Sequence, residues 1–250
     1  MKTDNSNSPQ ISVVIPVLNE EKFIHDCIAS VIRQDVPFPF ETIIVDNGCT
    51  DNTIAIAKKF PVRIVTEAQK GLSFARQAGL DAAKAPILVN IDADTRLTDH
   101  WLEKVHEYFA KHPDVAGISC DFKFYDGTMV ENIILYSRYL IIPPVTVFLR
   151  LIGRPDILLG QSFALRTESL RKAGGIDLNL VFHGEDTMIG KRLSTQGKVR
   201  FLWNLGVKTS ARRYKREGVL RTLFVYVTAF LMIQLGFRKK LREFVARYNP

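Results

Sequence analysis

Cysteine is scarce and poorly spaced for chemistry: Cys27, Cys49 and Cys120 make no metal-ligand pattern and no even set of disulfides, which fits a reducing cytosol. The first ten residues are polar and hold no apolar run, so no secretory leader is expected. No internal repeat and no low-complexity tract interrupts the chain. Its apolar stretch at residues 222–237 has sixteen uncharged residues. As a helix this would rise about 24 Å, short of the roughly 30 Å hydrocarbon core of a bilayer. Acids are nearly absent from the C-terminal quarter. Residues 191–250 hold 15 Lys or Arg against Glu217 and Glu243, a balance of +13 that leaves −5 on the first 190 residues. A basic patch of this kind meets polyanions: nucleic acid, a diphosphate or an anionic membrane leaflet. Nucleic acid fits worst, because the basic segment lacks aromatic-rich recognition motifs and runs into the apolar stretch.

What remains is an ordinary globular composition, ample for one core plus an appendage. The first 120 residues alternate strand-like and helix-like stretches: 11–15, 20–33, 42–45, 51–60, 62–65, 72–84 and 87–91. This is βαβα winding around a mostly parallel sheet. Pro16 should close the first strand, and Asp51 with Asn52 should cap the second helix. Residues 115–124, 158–165 and 199–202 look extended, while 167–172 and 185–196 look helical. Residues 133–152 are apolar nearly all round and broken by Pro143 and Pro144, which suits either a kinked core helix or a surface that faces lipid or an acceptor.

Chemistry concentrates at residues 85–96, Ala-Pro-Ile-Leu-Val-Asn-Ile-Asp-Ala-Asp-Thr-Arg. A buried-strand-like run delivers Asp92 and Asp94 to the sheet's C-terminal edge, where ligands of open α/β sheets collect. Residues two apart on an extended chain point the same way, so both carboxylates can hold Mg²⁺ or Mn²⁺. The plain alternative is a turn that caps the helix after Thr98. Residues 13–21, Val-Val-Ile-Pro-Val-Leu-Asn-Glu-Glu, leave another strand through Pro16 into a polar turn with Asn19 and Glu20, a place for a nucleoside. Asp46 ends a second strand, where its carboxylate can accept from a base edge or a ribose, or close an Asx-turn. Gly160, followed by Gln161, lets backbone approach a ligand; Gly174 and Gly175 do likewise or simply form a turn. Gly184-Glu185-Asp186-Thr187 opens a helix. Its two acids, next to His183, can cap that helix or supply a base and a sugar-hydroxyl acceptor.

In this order, with Lys70-Gly71 before a helix and Gly-Gly-Ile-Asp before Gly-Glu-Asp, these motifs resemble family-2 glycosyltransferases of the GT-A fold over about residues 11–200. The resemblance implies a Rossmann-like α/β sheet with helices on both faces and a nucleotide-sugar donor. It also implies donor contacts from Pro16, Asn19, Glu20, Asp46, Lys70 and Gln161. Asp92 and Asp94 would serve ribose, diphosphate and a Mn²⁺ or Mg²⁺ ion. Glu185 would bind substrate and Asp186 would be the general base of an inverting displacement. The Gln-x-x-Arg-Trp element of processive members is missing after residue 187, which argues against polymer extrusion, and Arg212 with Arg213 can take over contacts to a diphosphate or an anionic acceptor. Arg96 stands where some relatives that use polyprenyl phosphate carry glutamine, so it is not expected to serve a metal.

The expected organisation is a polar tail at 1–10, the catalytic domain at 11–216 and a basic and apolar helical extension at 217–250. The acceptor is expected to be a lipid-linked or membrane-adjacent sugar of the cell envelope. Residues 222–237 would lie on the inner face of the cell membrane or pack on the domain. Two rival readings are a haloacid-dehalogenase-like phosphatase, which also places Asp-x-Asp after an apolar strand, and a non-catalytic nucleotide-sugar binding protein.

Overall fold

The computed structural model describes residues 8–179, 184–234, 236, 237, 241, 243 and 244, apart from the side chains of residues 134, 135, 137 and 138. In chain order the elements are β1 (Ile11–Val17), α1 (Ile24–Ile32), β2 (Phe40–Asp46), α2 (Thr53–Ala57), β3 (Arg63–Thr66), α3 (Leu72–Ala82), β4 (Ile87–Ile91), β5 (Thr95–Leu97) and α4 (Trp101–Lys111). They continue as β6 (Val115–Phe124), α5 (Met129–Leu151), β7 (Ser162–Arg166), α6 (Thr167–Lys172), α7 (Glu185–Leu193), β8 (Lys198–Thr209), α8 (Arg212–Glu217) and α9 (Val219–Gln234).

One sheet runs β3-β2-β1-β4-β7-β6-β8-β5. Strands β1 to β4 are parallel and β6 runs parallel to β8, while β7 and β5 enter antiparallel. Every residue of β1 is buried, because helices cover both faces. Ile15, Ile44 and Val89 join a core shared with Ile28 of α1 and Trp101 of α4. On the opposite face Val14, Ile43 and Leu88 join one shared with Leu80 of α3, Leu170 of α6 and Ile189 of α7.

Several expectations need correction. β1 does not stop at Pro16 but passes through it to Val17; its pairing with β4 has already ended at Val14, so the missing N–H costs no ladder bond on that side. The helix expected at 51–60 forms only at Thr53–Ala57; Asn52 stands at its N-cap without a side-chain cap bond, and the Asp51 carboxylate accepts from the Thr53 N–H at 2.9 Å. Residues 133–151 belong to a longer helix that starts at Met129, with Thr128 and Glu131 in a capping box, and that runs through Pro143 and Pro144 to end with Ile152 at its C-cap. α4 is the helix expected after Thr98, while the three-residue β5 has no signal of its own in the sequence.

The position of α3 depends on Gly79. A Cβ there would stand 2.3 Å from Val14 Cγ1, inside the core, so the helix can approach β1 only with glycine at the contact. Gly79→Ala is expected to destabilise the fold by about 1–3 kcal/mol, read from urea denaturation, and combining it with Val14→Ala should recover part of the loss relative to the two single effects.

Candidate active site

The C-terminal ends of β1, β2 and β4 open onto one edge, and the loops there are tied together before any ligand arrives. Asn19, in a left-handed conformation at φ 57°, accepts from the Thr50 N–H at 2.8 Å and so joins the turn after β1 to the turn after β2. Asp46 uses one carboxylate oxygen to accept from the N–H groups of Gly48 and Cys49 at 3.1 and 2.9 Å, the Asx-turn alternative. Buried Asn47 donates to the carbonyls of Glu67 and Gln69 at 3.1 and 2.7 Å and accepts from the Gly71 N–H at 2.7 Å. That places the loop with Lys70 over Gly48, and Lys70 itself is exposed. Pro16 is paired inside β1 and buried, so it supports the edge and does not line it.

Asp92 and Asp94 lie just beyond β4 in a turn closed by the Thr95 N–H, which donates to the Asp92 carbonyl at 2.9 Å. They are therefore not successive outward residues of a strand, and each has its own guanidinium. Arg76 of α3 donates to Asp92 at 3.1 Å, to Glu185 at 2.9 Å and to the Gly160 carbonyl at 2.8 Å. Arg212 of α8 reaches Asp94 through Nε at 2.6 Å and grips both oxygens of Glu20 at 2.6 and 2.7 Å, stacked over the Phe23 ring. Arg213 donates to the Tyr226 hydroxyl of α9 at 2.7 Å and lies close enough to Asp92 to influence its charge. Arg96 turns away, to Asp26 and the ring of Tyr125.

Arg76 was not among the residues singled out from the sequence, although a signal was there. Residues 73, 76 and 80 share the buried stripe of α3. An arginine on such a stripe requires buried acids to meet it.

The acid pair divides. Glu185 is buried, with one oxygen on Arg76 and the other without a hydrogen-bond partner among the described residues. Asp186 accepts from the Thr187 N–H at 2.6 Å, and its other oxygen borders Gly160, where an added Cβ would stand 3.2 Å away. Burial, reinforced by the charge of Glu185, pushes the Asp186 carboxyl up to about 7. Burial also raises Asp94 to about 6 against the pull of Arg212, and raises Asp92 against that of Arg76. Burial opposes the charge of Arg212, yet its bonds to Glu20 and the nearby Asp94 hold it above its ordinary range. Gln161 approaches the same edge: its carbonyl accepts from the Asp92 N–H at 3.1 Å, and its buried amide nitrogen has no partner among the described residues. His183 lies outside the described residues.

Among the described residues no three His, Cys, Asp or Glu side chains group as cation ligands. The available donor set is Asp92 with Asp94. Mg²⁺ and Mn²⁺ fit it, since they take one or two carboxylates and complete their shells with water and phosphate oxygens. Charge fits as well: among the described residues, Glu20, Asp92, Asp94, Glu185 and Asp186 cluster around the guanidinium groups of Arg76, Arg212 and Arg213. A cation at Asp94 requires Arg212 to give up that carboxylate. All three cysteines are free, and burial raises their thiols, Cys49 to about 11 and Cys120 to about 12, so they stay protonated and unreactive.

Residues 12–172 match the family model described as glycosyl transferase family 2. The glycosyltransferase AglE of Haloferax volcanii is 32% identical over 130 residues, 49% of this chain and 43% of that protein. The dodecaprenyl-phosphate galacturonate synthase of Rhizobium johnstonii is 35% identical over 101 residues, 36% of this chain and 30% of that protein. The chain thus spans less than half the length of either relative. In structure it resembles the mannosyltransferase PcManGT of Pyrobaculum calidifontis, solved with GDP-Man and Mn²⁺, at a TM-score of 0.62 and 19% identity over 87% of this chain and 64% of that one. This likeness is one of fold.

Because Asp186 binds its proton more tightly folded than unfolded, the stability this proton contributes is present below the unfolded carboxyl range and is lost as pH rises through about 7. Asp186→Asn should therefore raise Tm above that of the wild type at pH 8, with a smaller gain at pH 5, in a series of thermal melts.

Proposed function

Because the chain belongs to family 2 of the glycosyltransferases, we propose that it moves a sugar from a nucleoside-diphosphate sugar to an acceptor hydroxyl, with inversion at the anomeric carbon and with the help of Mn²⁺ or Mg²⁺. The observation that carries this reading is the Asp186 carboxylate. It is raised to about 7 and, among the described residues, has no guanidinium at hydrogen-bond distance, beside Glu185, which Arg76 immobilises. Asp186 is thereby poised to take a proton near neutral pH.

In this mechanism an Asp186 oxygen accepts the proton of the acceptor hydroxyl while that oxygen attacks the anomeric carbon. The bond from that carbon to the diphosphate oxygen breaks, and the nucleoside diphosphate leaves with the electron pair. One displacement gives inversion. Glu185, fixed through Arg76, would accept from a hydroxyl of the sugar. Asp46, with Asn19 and Lys70 on the adjoining loops, would hold the nucleoside, and Arg212 and Arg213 would turn to the diphosphate. A divalent cation held by Asp94 and Asp92 would supply positive charge to the diphosphate as it departs. The PcManGT structure, with its nucleotide sugar and Mn²⁺, supports the donor class and the cation. The dodecaprenyl-phosphate synthase among the relatives supports a lipid-linked or membrane-adjacent acceptor at the cytoplasmic face of the cell membrane. The phosphatase reading has no support left once the family is known, while a non-catalytic sugar-nucleotide binder would bind donor without needing Asp186.

A thermal-shift screen of nucleoside diphosphates and their sugars, with and without Mn²⁺, identifies the donor. With that donor, Asp186→Asn should lower transfer by at least about 10²-fold at unchanged donor affinity, and NMR of the wild-type product should show the inverted anomer. Retention, or an active Asn variant, would overturn the single displacement.

Asp94→Ala should abolish the Mn²⁺-dependent tightening of nucleoside diphosphate binding in calorimetry. Unchanged metal dependence in that variant would remove the cation from Asp94.

A further inference from the structure

Two helices carry exposed apolar faces. On α5, Met129, Ile133, Leu140, Val147 and Leu151 are each more than half exposed. At about 100° per residue they fall within roughly 40° of one another. Among the described residues every exposed side chain on this helix except Arg150 is apolar or aromatic, and Arg150 is turned onto buried Asp156 at 2.7 Å. On α9, Leu220, Val227 and Leu231 are half or more exposed and lie opposite the buried Thr222, Val225, Ala229 and Ile233, while Phe224 on the same side meets the Phe244 ring at 6.0 Å.

The surroundings of these faces are basic and aromatic. Helix α8 stands between them: Tyr214 meets Phe124 at 5.2 Å and Lys215 lies 3.8 Å from Asp126 on the segment leading into α5, while Gly218 joins α8 directly to α9. Lys215, Arg216 and Arg221 are exposed along this link. The nearby acids are engaged, Asp126 by Ser210 and the Ala211 N–H, Glu131 by the cap of its own helix, and Glu217 by Arg213 and Arg216. One flank of the α5 stripe carries Tyr136 and Tyr139. Tyr139 leans on Trp203 at 5.1 Å, and with Lys123 and Lys208 these two line a cavity of about 320 Å³. Trp203 stands out there because β8 bulges, with Leu202 opposite Cys120 and Gly206 opposite the next residue, Asp121.

We propose that the outward face of α5, together with the basic α8 and the outward face of α9, docks on an anionic lipid bilayer. An apolar stripe edged by Tyr, Trp and Lys, and continued by a basic link, is complementary to acyl chains, interfacial headgroups and anionic phosphates in turn. A soluble protein partner would need an equally apolar and acidic surface; a bilayer offers both at once. The proposal deepens the membrane-adjacent reading above and rests on it for its purpose, since α8 also supplies Arg212 and Arg213 to the acid cluster.

The test is flotation of the full chain with vesicles of about one-third phosphatidylglycerol in phosphatidylcholine, with phosphatidylcholine vesicles, and with the anionic vesicles in 0.5 M NaCl. The wild type should float with anionic vesicles, and less in the other two arms. Leu140→Glu/Leu151→Glu, at exposed positions, should lower the bound fraction at least tenfold with melting temperature and nucleoside diphosphate binding unchanged. Failure of the wild type to float, or equal flotation of the variant, overturns the docking. A wild-type dimer in sedimentation velocity that the variant dissolves overturns it in favour of a second copy as occupant. Failure of donor binding would appear in the nucleotide arm alone and would count against the glycosyltransferase reading, not against the docking.

Discussion

The buried guanidinium of Arg76 is the contact on which the arrangement of the acids depends. Its side chain is 1% exposed, and it joins four parts of the fold: α3, the turn after β4, the backbone before β7 and the start of α7. Without it, Asp92, Glu185 and Asp186 would repel one another in a pocket that already opposes their charge. Breaking a buried pair of this kind costs about 3–5 kcal/mol. Because Arg76 takes up Glu185, the neighbouring Asp186 keeps an oxygen uncommitted, and two adjacent acids acquire different chemistry from one cation.

Arg212 makes a contact of the same type under looser control. Its side chain is 41% exposed, so although the fork on Glu20 is well formed, solvent screens its net contribution. In the proposed reaction a cation and a diphosphate would therefore draw Arg212 from Asp94 more readily than they would draw buried Arg76 from Glu185. In the proposed reaction this difference separates the part of the site that stays fixed from the part that rearranges on donor binding.

The C-terminal helix has two faces with different partners. Ile233 packs where a side chain on Gly184 would stand, at 2.4 Å, immediately before the acid pair, and Met188 and Ala229 join the same cluster. α9 thus braces the start of α7 and brings Tyr226 to Arg213, while Leu220, Val227 and Leu231 on its other face are exposed. Among the described residues no helix is long and apolar enough to cross a membrane. The basic residues 238–240, which follow the apolar stretch in sequence, lie outside the described residues.

The alternation of strands and helices, the sheet edge that carries Asp46, Asp92 and Asp94, and the acid pair at Gly184 were all legible from the chain, because local periodicity and strand ends are properties of consecutive residues. The helix around Gly79 and the run at 133–152 were legible as elements, but not the closeness of one to β1 or the continuity of the other through two prolines, which depend on neighbouring layers. Only the tertiary structure decided how the charges pair. Arg76 and Glu185 are 109 residues apart and Arg212 and Glu20 are 192 apart. Such pairings answer to burial and to the crossing of distant elements, and neither leaves a mark on local sequence beyond an arginine on a stripe that should have been apolar.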